Sequence, residues 1–450
     1  MYFPSYIRTD IKIYQVRLNL NHVLLTYFVF SVELLVQAGA DVNHVTRTNS
    51  TPLRAACFEG RLDIVKYLCE NSADFRIANK YNNTCLMISS YKGHQEVVEY
   101  LLSQGADPNT KALCGASALH FAAEIGNVPI VDCLLQYGAK MEQNEHGMTP
   151  LKAAAERCQA VMVDFLIERP EISKEQKIEA LELIGASFAN DKDHYDVGLA
   201  YTYLERAMKL RWEAETGIIE KNLEEPVSAY DNWRETRTME ELERIGTDSN
   251  LLHMEGLAIR ERILGSDNPE VPHQIIYRGA VFADSARFDR CAQLWLHALR
   301  LRQTTSLPVT KDLLRFAQVF SQMIKVGLEV DTQTVKEVLN ATVIEIERNQ
   351  KKIANPGVKD DPELLQEEME NNCLTSLYLV MILTKISKKE EKVEFAAMQE
   401  IYKLVQLNPL TSTGSSLLHL TVNQQTPVGE CNNFTRIMLN WSHDISIFQS

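Results

Sequence analysis

Thr51-Pro52-Leu53-Arg54-Ala55-Ala56-Cys57-Phe58-Glu59-Gly60 is one pass of a pattern that the chain repeats. Thr84-Cys85-Leu86, Ser117-Ala118-Leu119 and Thr149-Pro150-Leu151 restart it, at steps of 33, 33 and 32 residues. After each start come small residues, Ala55-Ala56, Ser89-Ser90, Ala122-Ala123 and Ala153-Ala154, which let one helix lie close to its neighbours. Gly60, Gly93 and Gly126 then end that helix, because glycine takes a positive φ without a Cβ clash. Second helices follow, such as Leu62-Asp63-Ile64-Val65-Lys66-Tyr67-Leu68 and Glu96-Val97-Val98-Glu99-Tyr100-Leu101-Leu102, with apolar residues at helical spacing.

This period is that of ankyrin repeats. Four units are present, preceded by the end of another at Leu34 to Asn43, and Ala40-Asp41-Val42-Asn43, Ala73-Asp74 and Ala106-Asp107-Pro108-Asn109 supply the turns. No such unit buries its apolar face alone, so the units stack and expose a concave surface of hairpin tips and first helices. Candidate peptide contacts on that surface are Arg54, Phe58, Glu59, Tyr91, Phe121 and Glu124. The three rings equally suit packing between repeats, and His120 reads as a helix-capping residue. Cys114 and His146 sit at nearly equivalent hairpin positions on consecutive repeats. A thiolate and an imidazole there could share zinc with ligands from a bound partner, leaving two positions open; the plainer reading is an idle thiol beside a solvent histidine.

Past Pro170 the pattern lengthens. Gly185-Ala186-Ser187-Phe188 with Leu204-Glu205-Arg206-Ala207, and Gly279, Phe282, Cys291, Trp295 and Ala298, have the small and large positions of tetratricopeptide helix pairs. Tyr230 to Ser249 reads as an acidic surface loop or short helix, and Lys351 to Asn371 as a loop leading into a solvated helix. Ser416-Leu417-Leu418-His419-Leu420-Thr421-Val422 restores the ankyrin signature. The expected fold is therefore all-α: a leader over 1–30, an ankyrin solenoid over 31–170, a tetratricopeptide-like helical domain over 171–408, and the start of a second ankyrin array over 409–450, cut short.

Lys and Arg number 46 against 60 Asp and Glu, a formal charge of −14, which disfavours nucleic acid and anionic membrane as partners. Nine scattered cysteines without a close pair suit a reducing compartment, cytoplasm or nucleus. The apolar run Val23 to Val32 behind Arg8, Lys12 and Arg17 imitates a signal peptide, but its cleavage site would cut a repeat. The run is also too short to span a bilayer as a helix. No phosphate-binding glycine loop, HExxH or nucleophile elbow is present, so a non-catalytic protein without a resident cofactor is expected.

Asn49 to Gly60, Asn83-Thr84-Cys85-Leu86-Met87-Ile88, Ile259-Arg260-Glu261-Arg262-Ile263-Leu264-Gly265 and Tyr277-Arg278-Gly279-Ala280-Val281 resemble the Fem (feminisation) family, most of all its B-type branch, over about Val32 to Val428. The resemblance implies a substrate receptor of a cullin-2 RING ubiquitin ligase, which holds C-terminal degrons of target proteins in its ankyrin groove. Ubiquitin transfer would fall to other subunits. Arg54, Phe58 and Tyr91 match the family's groove, with Glu59 where an Asp is common. Cys114 and His146 match positions at which a thiol and a metal take part in substrate capture, although Leu113 replaces a His there. The family has further ankyrin repeats at its start and, at its end, more repeats and a box that binds elongin B, elongin C and cullin-2. The sequence does not match these elements, so ligase recruitment, a ligase-independent scaffold and a non-functional truncated receptor all stand open.

Overall fold

The computed structural model describes residues 28–213, 217–305, 307–357, 361–387 and 391–422. Among these residues the structure is helical throughout, with a single isolated antiparallel bridge, Leu410 to Ser416. The fold is the all-helical solenoid expected. The described residues form two compact units: one runs to Val227 and includes Asp231–Gly265, and the other holds Ser228–Tyr230 and the residues from Ser266 on.

In the first unit the repeat pattern becomes helix pairs by local chemistry. Thr51, Thr84 and Thr149 lie in extended backbone before Pro52–Glu59, Cys85–Lys92 and Pro150–Glu156. Their hydroxyls accept from the N–H groups of Arg54, Met87 and Lys152 at 3.1, 3.3 and 3.2 Å, which satisfies donors that the first turn leaves open. The third repeat, Ala118–Ile125, uses a histidine for the same purpose. His120 Nδ1 accepts from the Ser117 N–H at 3.1 Å, while Nε2 donates to the Met148 carbonyl at 3.0 Å and so ties the helix to the next hairpin. Burial lowers the pKa of this ring and keeps it neutral.

Gly60, Gly93 and Gly126 end the first three inner helices at φ 70°, 77° and 80°. At the same place in the fourth repeat stands Cys158, at φ 56°. A Cβ in this left-handed region costs about 1 to 3 kcal/mol.

The second helices, Leu62–Glu70, Gln95–Ser103, Val128–Gln136 and Ala160–Ile167, each bury a pair one turn apart: Val65 and Leu68, Val98 and Leu101, Val131 and Leu134, Val163 and Leu166. Each such side chain contributes roughly 1.5 to 3 kcal/mol. The helix Phe28–Gln37 stacks ahead of them, starting within the span read as a leader; the rest of that expected leader, 1–27, lies outside the described residues.

Asparagines join the repeats in series. The Asn43 side chain donates to the Ser72 carbonyl at 3.1 Å and accepts from the Asp74 N–H at 2.8 Å, and Asn109 does the same with Gly138 and Lys140, at 2.9 Å each. The hairpin tips are bonded likewise, Lys80 N–H to Thr48, Leu113 N–H to Tyr81 and Glu145 N–H to Cys114.

Lys174–Asn190 and Val197–Arg211 continue the first unit as a close helix pair. A Cβ on Gly185 would lie 2.9 Å from the Leu204 side chain, so only glycine allows this approach. Ser249–Leu264 packs on the same pair, and the core gathers Ala186, Leu204, Met208, Leu242, Ile245, Leu252 and Ile259. Leu242 and Ile245 belong to the short helix Met239–Ile245, in the segment expected on the surface. That expectation is corrected. The acidic composition of the segment reflects buried carboxylates as well as solvated ones, since Glu235 and Thr236 are 8 % and 4 % exposed.

In the second unit Val271–Asp284 and Phe288–Thr304 form the other pair, with Gly279 directly beneath the Trp295 ring, whose Nε1 donates to the Ile276 carbonyl at 2.9 Å. Thr310–Lys325, Thr332–Ala354, Pro362–Ser387 and Glu391–Leu407 follow. The helix from Pro362 is not solvated as expected: Leu365, Met369 and Cys373 are buried, the last two in a cluster with Val343, Ile346 and Leu404. Glu363 and Glu367 stay exposed, while Leu365, Met369 and Cys373 turn inward. Near the end, Ser416 and His419 repeat the Ser117 and His120 cap, with the Ser416 N–H donating to His419 Nδ1 at 3.3 Å before the helix Leu417–Val422. Residues beyond 422 lie outside the described residues, and most of the expected second array with them.

Candidate functional site

Stacked repeats align equal positions, so the inner helices present columns. Seven residues after each cap stand Phe58, Tyr91, Glu124 and Glu156, and eight after it stand Glu59, Lys92, Ile125 and Arg157. The first helices pack on one another in order, and the last packs on Lys174–Asn190. The surface is therefore continuous, aromatic toward the first repeats and carboxylate-bearing toward the last.

The columns cross-link. Lys92 Nζ lies 4.2 Å from the centre of the Phe58 ring, a cation–π contact that holds the ring's face. The Phe58 carbonyl is bonded to His94 Nε2 at 2.9 Å. Tyr91 meets Phe121 edge to face, at 6.1 Å and 89°. Arg157 Nε lies 3.1 Å from both Glu124 Oε1 and Glu156 Oε2, and Glu156 reaches Arg260 Nη2 at 2.6 Å through its other oxygen. Burial, reinforced by the Glu124 charge, pushes the Tyr91 phenol up to about 12. It is a neutral hydroxyl at any working pH.

The six contact candidates divide by accessibility. Glu59 is exposed, and Phe58, Tyr91 and Glu124 are half-buried, each with surface to offer. Arg54 and Phe121 are 4 % and 7 % exposed. Arg54 Nη1 donates to Ser50 Oγ at 3.3 Å beneath the groove, and Phe121 supports Tyr91, so both form the floor rather than its surface. Lys92 and Arg157 were not among the candidates. Reading the eighth position down the repeats would have found them, because it is charged in three of the four repeats, at Glu59, Lys92 and Arg157.

Cys114 is half-buried and His146 exposed, on hairpin tips joined by the Glu145 N–H to Cys114 carbonyl bond of 3.1 Å. The two tips are neighbours, as expected for repeats one period apart. A separate open depression of about 760 Å³ lies on the second helices, between Lys66, Glu99, Tyr100 and Tyr137. It has a wide mouth and carries no clustered chemistry. The continuous inner-helix columns make the better candidate.

A family model described as ankyrin repeats (3 copies) matches twice, over residues 27–112 and 105–178. Over 300 residues, 64 % of the chain, the sequence is 42 % identical to protein fem-1 homolog A of Danio rerio, covering 47 % of that protein. It is 40 % identical to fem-1 homolog C of Xenopus laevis over 329 residues, 68 % of this chain and 51 % of that one. The human fem-1 homolog C is 41 % identical over 299 residues, 64 % and 47 % of the two chains. Over that span the chain is similar to the fem-1 homologues. These relatives carry the A and C designations rather than B, and the chain spans about half their length. Among the described residues no helix is long and apolar enough to cross a membrane.

Proposed function

We propose that the chain is a substrate-recognition adaptor whose ankyrin groove captures the C-terminal degrons of target proteins. Its partners would be elongin B, elongin C and cullin-2, with ubiquitin transfer on other subunits, in cytoplasm and nucleus. The observation that carries the reading is the unbroken pair of columns from Phe58 and Glu59 to Glu124 and Arg157, apolar rings beside accessible carboxylates. A peptide tail laid across them would set an apolar side chain on Phe58 and Tyr91 and a basic one against Glu59. Charge-assisted bonds there select for the basic residue. Zinc shared by Cys114, His146 and a substrate's own ligands belongs to the same reading, because those tips flank the third inner helix.

Two measurements test it. Binding of a library of free C-terminal peptides should enrich tails with a basic residue near the end, and amidated or extended versions should bind at least about tenfold more weakly. Equal binding of free and extended tails would refute terminus recognition. Co-purification with elongin B, elongin C and cullin-2 at near-stoichiometric yield supports the adaptor role. Peptide capture without any of the three would instead make the chain a ligase-independent scaffold.

A further inference from the structure

We propose that Cys158, Asp191 and His194 form a divalent-metal site of the zinc type, which fastens the turn between the two helices of the fourth repeat to the loop after Lys174–Asn190. It is separate from the Cys114 and His146 tips. One ligand atom from each of the three residues lies within 4.8 Å of the others. Zinc with ligands at 2.0 to 2.3 Å sets tetrahedral edges of about 3.3 to 3.5 Å, so closure needs side-chain motion on the order of 1 Å.

Cys158 itself departs from the repeat pattern. Three repeats place glycine at this left-handed position, and the fourth spends a strained backbone to place a thiol there. In the earlier repeats the next repeat's polar side chain covers the glycine: His94 over Gly60, Asn127 over Gly93 and Gln159 over Gly126. One period further on, the side chains that arrive over Cys158 are Asp191 and His194. The position that receives a simple polar cover elsewhere thus receives a sulfur, a carboxylate and an imidazole.

The loop is held for the purpose. Asp191 Oδ1 accepts from the Asp193 and His194 N–H groups at 2.9 and 2.8 Å and lies 3.0 Å from His194 Nδ1, which fixes both side chains relative to the helix end. Cys158 is 7 % exposed and His194 largely exposed, so a metal would sit with its sulfur side in protein and one position open to water. Burial, with the Asp191 charge, holds the thiol protonated in the metal-free state, which disfavours a nucleophilic role. On binding, the Cys158 S–H bond breaks, an S–metal bond forms and the proton leaves to buffer; thiolate and carboxylate then neutralise the dication.

The test uses the full chain, untagged, stripped with chelator under a non-thiol reductant and titrated with cobalt(II) and zinc. The wild type should take up one ion with a thiolate-to-cobalt charge-transfer band and release a proton. Cys158→Gly, which restores the repeat's own residue and should fold at least as well, should lose the band. His194→Asn should weaken cobalt binding by more than about 100-fold, while Cys114→Ser leaves the band unchanged. No band in the wild type, or an equal band in Cys158→Gly, overturns the proposal. A band lost in Cys114→Ser but kept in Cys158→Gly would transfer the ion to the hairpin tips and overturn it as well.

Discussion

Lys221 is the single residue whose removal should cost the first unit most. Its ammonium is 3 % exposed and lies 3.4 Å from Glu235, 3.4 Å from Glu255 and 3.7 Å from Glu182. Arg262 bonds Glu235 and Glu182 at 2.7 and 2.8 Å, and Arg211 bonds Glu182 at 2.9 Å, so three cations balance three carboxylates. Glu255 also accepts from Trp233 Nε1 and the Thr236 hydroxyl, at 2.7 Å each. Burial alone would raise the Glu182 pKa, yet Lys221, Arg262 and Arg211 outweigh it and hold the group down at about 2. Against an ordinary value of 4.5, that shift corresponds to about 3 kcal/mol. Because the folded pKa is the lower one, the contribution is complete above about pH 4.5 and is lost as pH falls through about 2. Lys221→Met keeps most of the volume but leaves three buried carboxylates facing two cations. The cost should be about 3 to 5 kcal/mol, read as a Tm fall on the order of 10 °C at pH 7 by calorimetry, with acid unfolding beginning at higher pH. Adding Glu255→Gln restores the balance and should return part of the loss. A Tm change under about 2 °C with an unmoved acid limb would mean that the network contributes nothing beyond its packing.

Phe58→Ala and Glu59→Lys should each weaken capture of a basic C-terminal peptide by about tenfold or more in a titration, with the far-ultraviolet dichroism unchanged, because both lie at the groove surface. Tyr91→Phe should remove from a spectrophotometric titration the phenol that ionises near pH 12; loss of one near 10 would contradict its burial against Phe121. With the folded pKa raised, this group's contribution is complete below about pH 10 and lost as pH climbs toward 12. Gly279→Ala would set a Cβ 2.4 Å from the Trp295 ring, and should destabilise the second unit by about 1 to 3 kcal/mol with a changed tryptophan emission.

The fold was legible wherever one residue type answers one backbone demand. The threonine caps, the positive-φ glycines and the Asp-x-Asn ends each act within a few residues, so their meaning does not depend on distant chain. Gly185 and Gly279 were readable for the same reason, as close approaches between helices adjacent in sequence. What could not be read were the long-range charge pairs. Glu182 and Arg262 are 80 residues apart, and Glu156 and Arg260 are 104 apart, with no period linking them. A carboxylate in an acidic stretch is by default a solvated one, which is why Tyr230 to Ser249 read as surface. Within the groove, residue type could not tell floor from face: Arg54 and Phe121 have the chemistry of contacts, and only packing against Ser50 and Tyr91 withdraws them.

Those long-range pairs bear on the groove itself. Glu124 can offer charge to a ligand only as far as Arg157 leaves it unneutralised, and Arg157 is shared with Glu156 at the same 3.1 Å. Glu156 in turn is committed to Arg260, whose side chain is 1 % exposed and whose Nη1 donates to Ser187 Oγ at 3.4 Å. The chain of partners runs from the groove through the fourth inner helix into Ser249–Leu264. If Arg260 did not hold Glu156, that carboxylate would compete fully for Arg157 and leave Glu124 more negative. The groove's charge is therefore set by a helix about a hundred residues further along the chain, one that the ankyrin pattern does not include. Lys174–Asn190 packs directly on the last inner helix and buries the end of the repeat array, while Ser249–Leu264, packed on Lys174–Asn190, brings Arg260 to the carboxylate end of the groove.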